Sequence, residues 1–319
     1  MARHPDVVRA IELSRAGQND EAVMLIRQTA ANRDPEALYM LGEMTWRGGM
    51  VDQDPVRART LFEYSGSLGH STGNIFTTNL LASGVAGKHD WPQAMARLEA
   101  EAQAIPARRR TYDLIRAMKL DANGDPMELA GPKQLSEAPR VWIFSGLLTS
   151  DECDYLLEAV EGQFQPSLVY DAERNLVRDE IRTSDGAAIH WLIEDPAIVA
   201  LNRRVAAASG TAYEHGEALA LLRYEPGQQY RPHFDFVDGA ENRRLKTALL
   251  YLNDGYEGGE TAFVRTGLKV AGKKGDMLLF DNEGQGTGPD LMSEHEGRPV
   301  TQGIKYLATR WIREARTIP

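Results

Sequence analysis

Residues 223–236, RYEPGQQYRPHFDF, decide how the chain is read. The stretch leaves an apolar run, ALALLRY over 218–224, and crosses a turn signal at Pro226 and Gly227. It then places His233 and Asp235 two residues apart. Alternate residues of a strand project from one face, so the spacing predicts an imidazole and a carboxylate aimed together. Two histidines and one carboxylate on one face of an octahedral metal leave three positions open, enough for a bidentate ligand and dioxygen. The third ligand has to come from another strand. His295, in LMSEHEGRPV over 291–300, is the only histidine after Asp235.

Outward from that stretch the pattern stays strand-like. TALLYL over 247–252, DMLLF over 276–280 and YLATRWI over 306–312 are short apolar runs separated by Gly, Pro, Asn and Asp. Two helices come first. Thr149 and Glu152 have the spacing of a capping box ahead of DECDYLLEAV, and PAIVALNRRVAAASG over 196–210 reads as the second. Helices followed by many short strands predict a β-sandwich or jelly roll with flanking helices over 141–319.

Residues 1–105 have a different period. Apolar residues recur three and four apart, which predicts helices. Ala22, Ala58 and Ala94 stand 36 residues apart, and Leu25 matches Leu61, Gly48 matches Gly84 and Asp54 matches Asp90. That spacing predicts a repeat of helix pairs. The segment Pro35 to Gly69 resembles a Sel1-like repeat, a relative of the tetratricopeptide repeat. Such pairs stack because one pair cannot bury its apolar face alone, and their concave side often binds protein; packing as a structural appendage is the other reading. Tyr39, Trp46 and Tyr64 are expected in the core. Residues 106–140, a helix-like stretch, TYDLIRAMKL, followed by a run rich in Gly, Pro and polar residues, read as a connector. The chain is thus expected to be α+β, an α-helical repeat domain followed by a β domain.

Composition narrows the function. A net charge of -10 argues against a sequence-independent grip on nucleic acid. The basic runs at Arg108–Arg110 and Arg243–Arg244 are expected to be solvated faces. The single cysteine, Cys153, excludes an intrachain disulfide; between Glu152 and Asp154 it is expected to be a structural helix residue. The first 20 residues lack an apolar core of signal-peptide length, and no run reaches the ~20 apolar residues of a membrane span. A cytoplasmic protein with neither nucleic acid nor membrane as partner is the expectation.

A bare H-x-D match is weak: with 7 histidines and 21 aspartates, chance yields roughly half a match. The longer context is specific. Arg182-Thr183-Ser184, RYEPGQQYRPHFDF, YLNDGYEGGETAF, KKGDMLLF and SEHEGRPVTQGIKYLATRWI resemble, in order and spacing, the prolyl 4-hydroxylase family of Fe(II)/2-oxoglutarate-dependent dioxygenases. The resemblance implies a double-stranded β-helix, with Fe(II), 2-oxoglutarate and O2 as cofactors and cosubstrates and ascorbate as a reductant. It implies His233, Asp235 and His295 as metal ligands, Lys305 as the anchor of the far 2-oxoglutarate carboxylate, and Tyr224 as that group's hydrogen-bond donor. Thr247 is expected to face the cosubstrate, and Arg182, Arg244 and Trp311 the substrate. Two departures bear on substrate choice. The stretch between Asp235 and Thr247, FVDGAENRRLK, is shorter than in many relatives, and Tyr306 stands where Trp is common. Glu294 and Glu296 flank His295, which predicts an acidic rim.

The expected activity is hydroxylation of a substrate carbon, coupled to decarboxylation of 2-oxoglutarate to succinate. The resemblance points to proline in a peptide or protein, with the helical repeats suited to recognising it. Hydroxylation of a free amino acid or small metabolite is the alternative within the class. From another class stands a metal-binding sensor or scaffold without turnover, against which the complete ligand set and Lys305 argue.

Overall fold

The computed structural model describes residues 3–129, 131–170, 176–237, 239–284 and 288–319. By its contacts the chain divides into two units. One comprises Met1–Arg116, Trp191–Val199 and Pro319, and the other Ala117–His190 and Ala200–Ile318.

In the first unit seven helices follow one another: α1 (Pro5–Arg15), α2 (Asn19–Ala31), α3 (Pro35–Arg47), α4 (Pro55–Ser67), α5 (Ser71–Ser83), α6 (Trp91–Ala102) and α7 (Pro106–Ala117). The 36-residue period reappears in how they begin and end. Asp34 and His70 cap α3 and α5, accepting from Ala37 N and Gly73 N. Asp54 and Asp90 cap α4 and α6, accepting from Arg57 N and Gln93 N. Gly48 and Gly84 follow α3 and α5 with φ of 75° and 74°, a region that a side chain disfavours. Ala22, Ala58 and Ala94 are all 0% exposed. Small residues let the helices approach: a Cβ on Gly42 would fall 2.7 Å from the Phe62 ring. The repeat is therefore structural, recurring in the caps, the stops and the buried alanines.

Three expectations change here. Tyr39 is packed as predicted, stacked on His70 with centroids 4.4 Å apart, and Trp46 is half-buried. Tyr64, however, is 37% exposed, its ring under the Arg33 guanidinium. Arg108 is no solvated residue: it is 4% exposed, and its Nε donates to Glu101 at 2.6 Å and its Nη1 to Asn79 at 3.1 Å. A carboxylate on α6 and an amide on α5 replace its water, which composition cannot reveal. The connector begins with the expected helix, α7, but its Gly- and Pro-rich end is also structured, because Lys133–Glu137 pair into a sheet.

The second unit holds two facing antiparallel sheets. The larger runs β1 (Lys133–Glu137), β2 (Arg140–Phe144), β13 (Met277–Asp281), β9 (Arg244–Tyr251), β16 (Lys305–Arg313), β7 (Leu219–Tyr224), β6 (Asp185–Ile189), β3 (Gln165–Pro166). The smaller runs β12 (Lys269–Val270), β11 (Thr261–Phe263), β14 (His295–Gly297), β8 (Tyr230–His233). Two short antiparallel pairs, β10 (Glu257–Gly258) with β15 (Val300–Gln302) and β4 (Val169–Tyr170) with β5 (Leu176–Val177), complete it. Leu222, Leu249, Tyr251, Leu278 and Phe280 of the larger sheet share one core with Phe263 and Val270 of the smaller. This is the jelly roll of a double-stranded β-helix.

Strand β9 is buried from Thr247 through Tyr251 without alternation, as a central strand covered on both faces should be. Helix α8 (Ser150–Glu158) begins with the predicted capping box, and Cys153 on it is fully buried with its Sγ 3.8 Å from Tyr251 O. Burial pushes that thiol up to about 12, so it is inert packing. Helix α9 (Pro196–Ser209) carries Arg204, which grips Glu152 of α8 through two hydrogen bonds of 2.7 and 2.9 Å. No helix among the described residues is long and apolar enough to cross a membrane.

Candidate metal centre

The ladder between β8 and β14 sets His233 directly opposite His295. Residues opposed in an antiparallel pair put their side chains on the same face, and the two rings stand 4.3 Å apart between centroids. Asp235 lies just past the end of β8 and still converges on them. Its Oδ1 is 3.8 Å from His233 Nε2 and its Oδ2 3.7 Å from His295 Nε2. One donor atom from each of the three lies within 4.8 Å of the others.

Each ring is committed at its other nitrogen. His233 Nδ1 donates to Arg231 O at 2.8 Å, and His295 Nδ1 to Ser293 O at 2.9 Å. That fixes the tautomer with the lone pair on Nε2, as a metal ligand requires. Burial first, and the neighbouring His295 second, hold His233 well below the usual imidazole range, so the ring stays neutral at pH 7. For Asp235 burial works upward, but the two histidines, Arg244 and the Thr247 hydroxyl outweigh it and its carboxyl is lowered. Two imidazoles with their Nε2 atoms turned inward and a carboxylate on one face fit a divalent metal of the iron type.

The same cavity continues to Lys305. Its lining includes Arg182, Tyr224, Tyr230, Thr261, Lys305 and Trp311 together with the triad. Lys305 opens β16, opposite Tyr224 of β7, and is 2% exposed. Its Nζ donates to Gly259 O at 2.6 Å, and no ion pair to a carboxylate is made among the described residues. Burial lowers it to about 8. Burial raises the Tyr224 phenol, which keeps it a donor. A buried ammonium facing a metal face across one cavity suits a dianion with a chelating end and a free carboxylate.

Three expectations need correction. Thr247 does not line the cavity; its hydroxyl is engaged by Asp235 Oδ2 at 2.7 Å. Arg244 does not line it either, because Glu217 holds its guanidinium at 2.6 and 2.9 Å over the Trp311 ring, 4.0 Å from the centroid. The rim is not simply acidic, since Glu294 pairs with Arg265 at 3.1 Å and Glu296 lies 3.9 Å from Arg298. Arg182 and Trp311 do reach the cavity, Arg182 with its guanidinium 4.9 Å from the Tyr230 ring centroid. Thr261 was missed. Its signal is pairing: Thr261 opposes Gly297 as Phe263 opposes His295, so it shares the face of the metal ligand.

Residues 219–313 match the 2OG-Fe(II) oxygenase superfamily, which is the class that fold and site define. "Probable prolyl 4-hydroxylase 7" of Arabidopsis thaliana is 33% identical over 219 residues, 61% of this chain and 69% of the relative. The chain belongs to the prolyl 4-hydroxylase family, and it is a 2-oxoglutarate-dependent dioxygenase using Fe(II), 2-oxoglutarate and O2. Among solved structures, the viral collagen prolyl hydroxylase of Paramecium Bursaria Chlorella virus-1 in complex with 2OG is 26% identical, with a TM-score of 0.42 over 55% of this chain and 96% of that one. A Sel1 repeat protein of Oxalobacter formigenes is 22% identical, with a TM-score of 0.31 over 35% of this chain and 51% of that one.

Proposed function

We propose that this dioxygenase hydroxylates proline within a peptide or protein chain. One atom of O2 enters the new C–OH bond. The other enters the succinate formed as 2-oxoglutarate loses carbon dioxide, so that substrate and cosubstrate together supply the four electrons that reduce O2. The observation that carries the reading is one cavity holding three metal donors at one end and, at the other, a buried lysine with no carboxylate partner among the described residues. Identity of 33% to a relative named for prolyl 4-hydroxylation supports proline.

Iron(II) bound by His233, Asp235 and His295 would supply the oxidising chemistry that no side chain has. The chain's own residues position and exclude. Lys305, Tyr224 and Thr261 hold the far carboxylate of 2-oxoglutarate, which fixes its other end against the triad. Trp311 and Arg182 border the remaining space, where the substrate C–H bond has to sit within reach. Arg244, clamped by Glu217, holds the Trp311 ring in place. The Sel1-like pairs are the part suited to meeting a protein substrate. A lower KM for a proline-containing protein than for its excised peptide would be their signature.

The test is incubation with Fe(II), 2-oxoglutarate, ascorbate and proline-containing peptides, following succinate and the gain of one oxygen on proline. Hydroxyproline in step with succinate supports the proposal. Oxygen added to free amino acids but to no peptide would move the substrate to small metabolites. No succinate from any substrate, with iron demonstrably bound, would leave a metal-binding module.

A further inference from the structure

The three donors of the metal centre are held by more than their own strands. Thr247 lies on β9, opposite Phe280 of β13 and Trp311 of β16, and its hydroxyl meets Asp235 Oδ2 at 2.7 Å. Behind it Asn282 Nδ2 stands 2.9 Å from the same hydroxyl. Asn282 is 0% exposed and its backbone is pinned twice, donating to Leu245 O at 2.8 Å and accepting from Asp290 N at 2.9 Å.

Donor arithmetic fixes the direction of this chain. A carboxylate only accepts, so the single proton of Thr247 has to point at Asp235. The hydroxyl is then an acceptor toward Asn282, which requires the NH2 side of the amide to face it; the alternative amide flip would set an oxygen against a hydroxyl with no proton left to give. The Asn282 oxygen, on the other side, is buried and has no partner among the described residues. An amide left half satisfied in a closed interior is unfavourable for folding alone, which points to a role for its NH2 group.

We propose that Asn282 and Thr247 are positioning residues of the metal centre. Asn282 orients the Thr247 hydroxyl, and Thr247 fixes the rotation of the Asp235 carboxylate, so that its oxygens face the two imidazole Nε2 atoms before metal arrives. The inference rests on the iron site proposed above. It adds that a residue expected to touch the cosubstrate acts on the metal through Asp235.

Cobalt(II) titration of the full-length protein under anaerobic conditions tests it, read by affinity and by the visible ligand-field spectrum, with thermal unfolding of the metal-free proteins alongside. Thr247→Val keeps the shape and removes the hydroxyl; it is expected to weaken cobalt binding by roughly 10- to 100-fold and to alter the spectrum. Thr247→Ser restores the hydroxyl and should stay within about threefold of the wild type. Asn282→Leu leaves Thr247 in place but unoriented and should lose roughly threefold to tenfold; it also serves if the valine variant does not fold. Wild-type affinity and spectrum in both Thr247→Val and Asn282→Leu would overturn the proposal, as would a serine variant no better than valine. If the wild type itself binds no better than His233→Ala, the iron site fails, which is a distinct result.

Discussion

Replacing Lys305 by Met tests the reading of the cavity along two axes at once. The ammonium is 2% exposed and burial has lowered it from 10.5 to about 8, a drop equivalent to roughly 3 kcal/mol of lost solvation. Truncating one partner of a buried charge pair costs about 2–5 kcal/mol. Taking roughly 3 kcal/mol, the 2-oxoglutarate Kd should rise on the order of 100-fold in Lys305→Met. The assay is anaerobic titration of the iron-loaded protein with 2-oxoglutarate, followed through the metal-to-ligand charge-transfer band.

The pH dependence carries opposite signs for binding and for stability. In the empty site Lys305 loses its proton near pH 8, so affinity for the dianion should be level below that and fall up to about tenfold per pH unit above it. Stability of the empty protein runs the other way. Between pH 8 and the unfolded value of 10.5 the unfolded chain binds the extra proton, so the contribution of Lys305 to stability rises through that window. Methionine should erase both slopes and stabilise the empty protein at pH 7. A Kd within about threefold of the wild type, or a wild-type affinity flat from pH 7 to about 9.5, would refute the argument that this lysine is a solvent-deprived anchor.

Three other outcomes follow from the geometry. Thr261→Val should raise the KM for 2-oxoglutarate roughly fivefold to tenfold through one lost hydrogen bond, while metal affinity measured by cobalt titration stays unchanged. Asp90→Ala removes the side chain that caps α6 and should lower stability in urea unfolding by about 1 kcal/mol without altering metal affinity. Cys153, with its thiol pushed up to about 12 and fully buried, should resist a thiol reagent at pH 8 in the native protein and react only after unfolding; native-state labelling at the rate of a free thiol would contradict its packing.

Much of the site was legible because it depends on short-range geometry. His233 and Asp235 converge although β8 ends at His233, since the two-residue stagger survives into the first step beyond the strand. The repeat was legible for a similar reason: Asp54 and Asp90 are helix caps and Gly48 and Gly84 are helix stops, and both are local requirements that recur at the same spacing. What stayed hidden depends on pairing. Thr247 and Thr261 are both buried threonines in strands, and the resemblance to the family pointed to Thr247 as the one that faces the cosubstrate. Only the register distinguishes them, because Thr261 is two steps from the residue that opposes His295, whereas Thr247 meets Asp235. Arg108 and Arg244 were misread for the related reason that a basic side chain shows its partner only once Glu101 or Glu217 has been brought beside it.

The distribution of strain and satisfaction across the cavity separates what folding needs from what binding needs. At the metal end the donors are pre-oriented: both imidazoles have their Nδ1 committed and Asp235 accepts from Thr247, so little reorganisation accompanies metal binding. At the other end the charge on Lys305 has one carbonyl, Gly259 O, as a partner and no counter-ion among the described residues. Such a charge is unfavourable until a carboxylate arrives, and relief of that penalty adds to the affinity for any ligand able to span the two ends. A monocarboxylic keto acid could chelate the metal but would leave Lys305 unpaired. The architecture therefore selects the dicarboxylate by the cost of leaving a buried ammonium alone, and discrimination between the two acids should largely vanish in Lys305→Met while their ranking in the wild type follows the lysine's own titration.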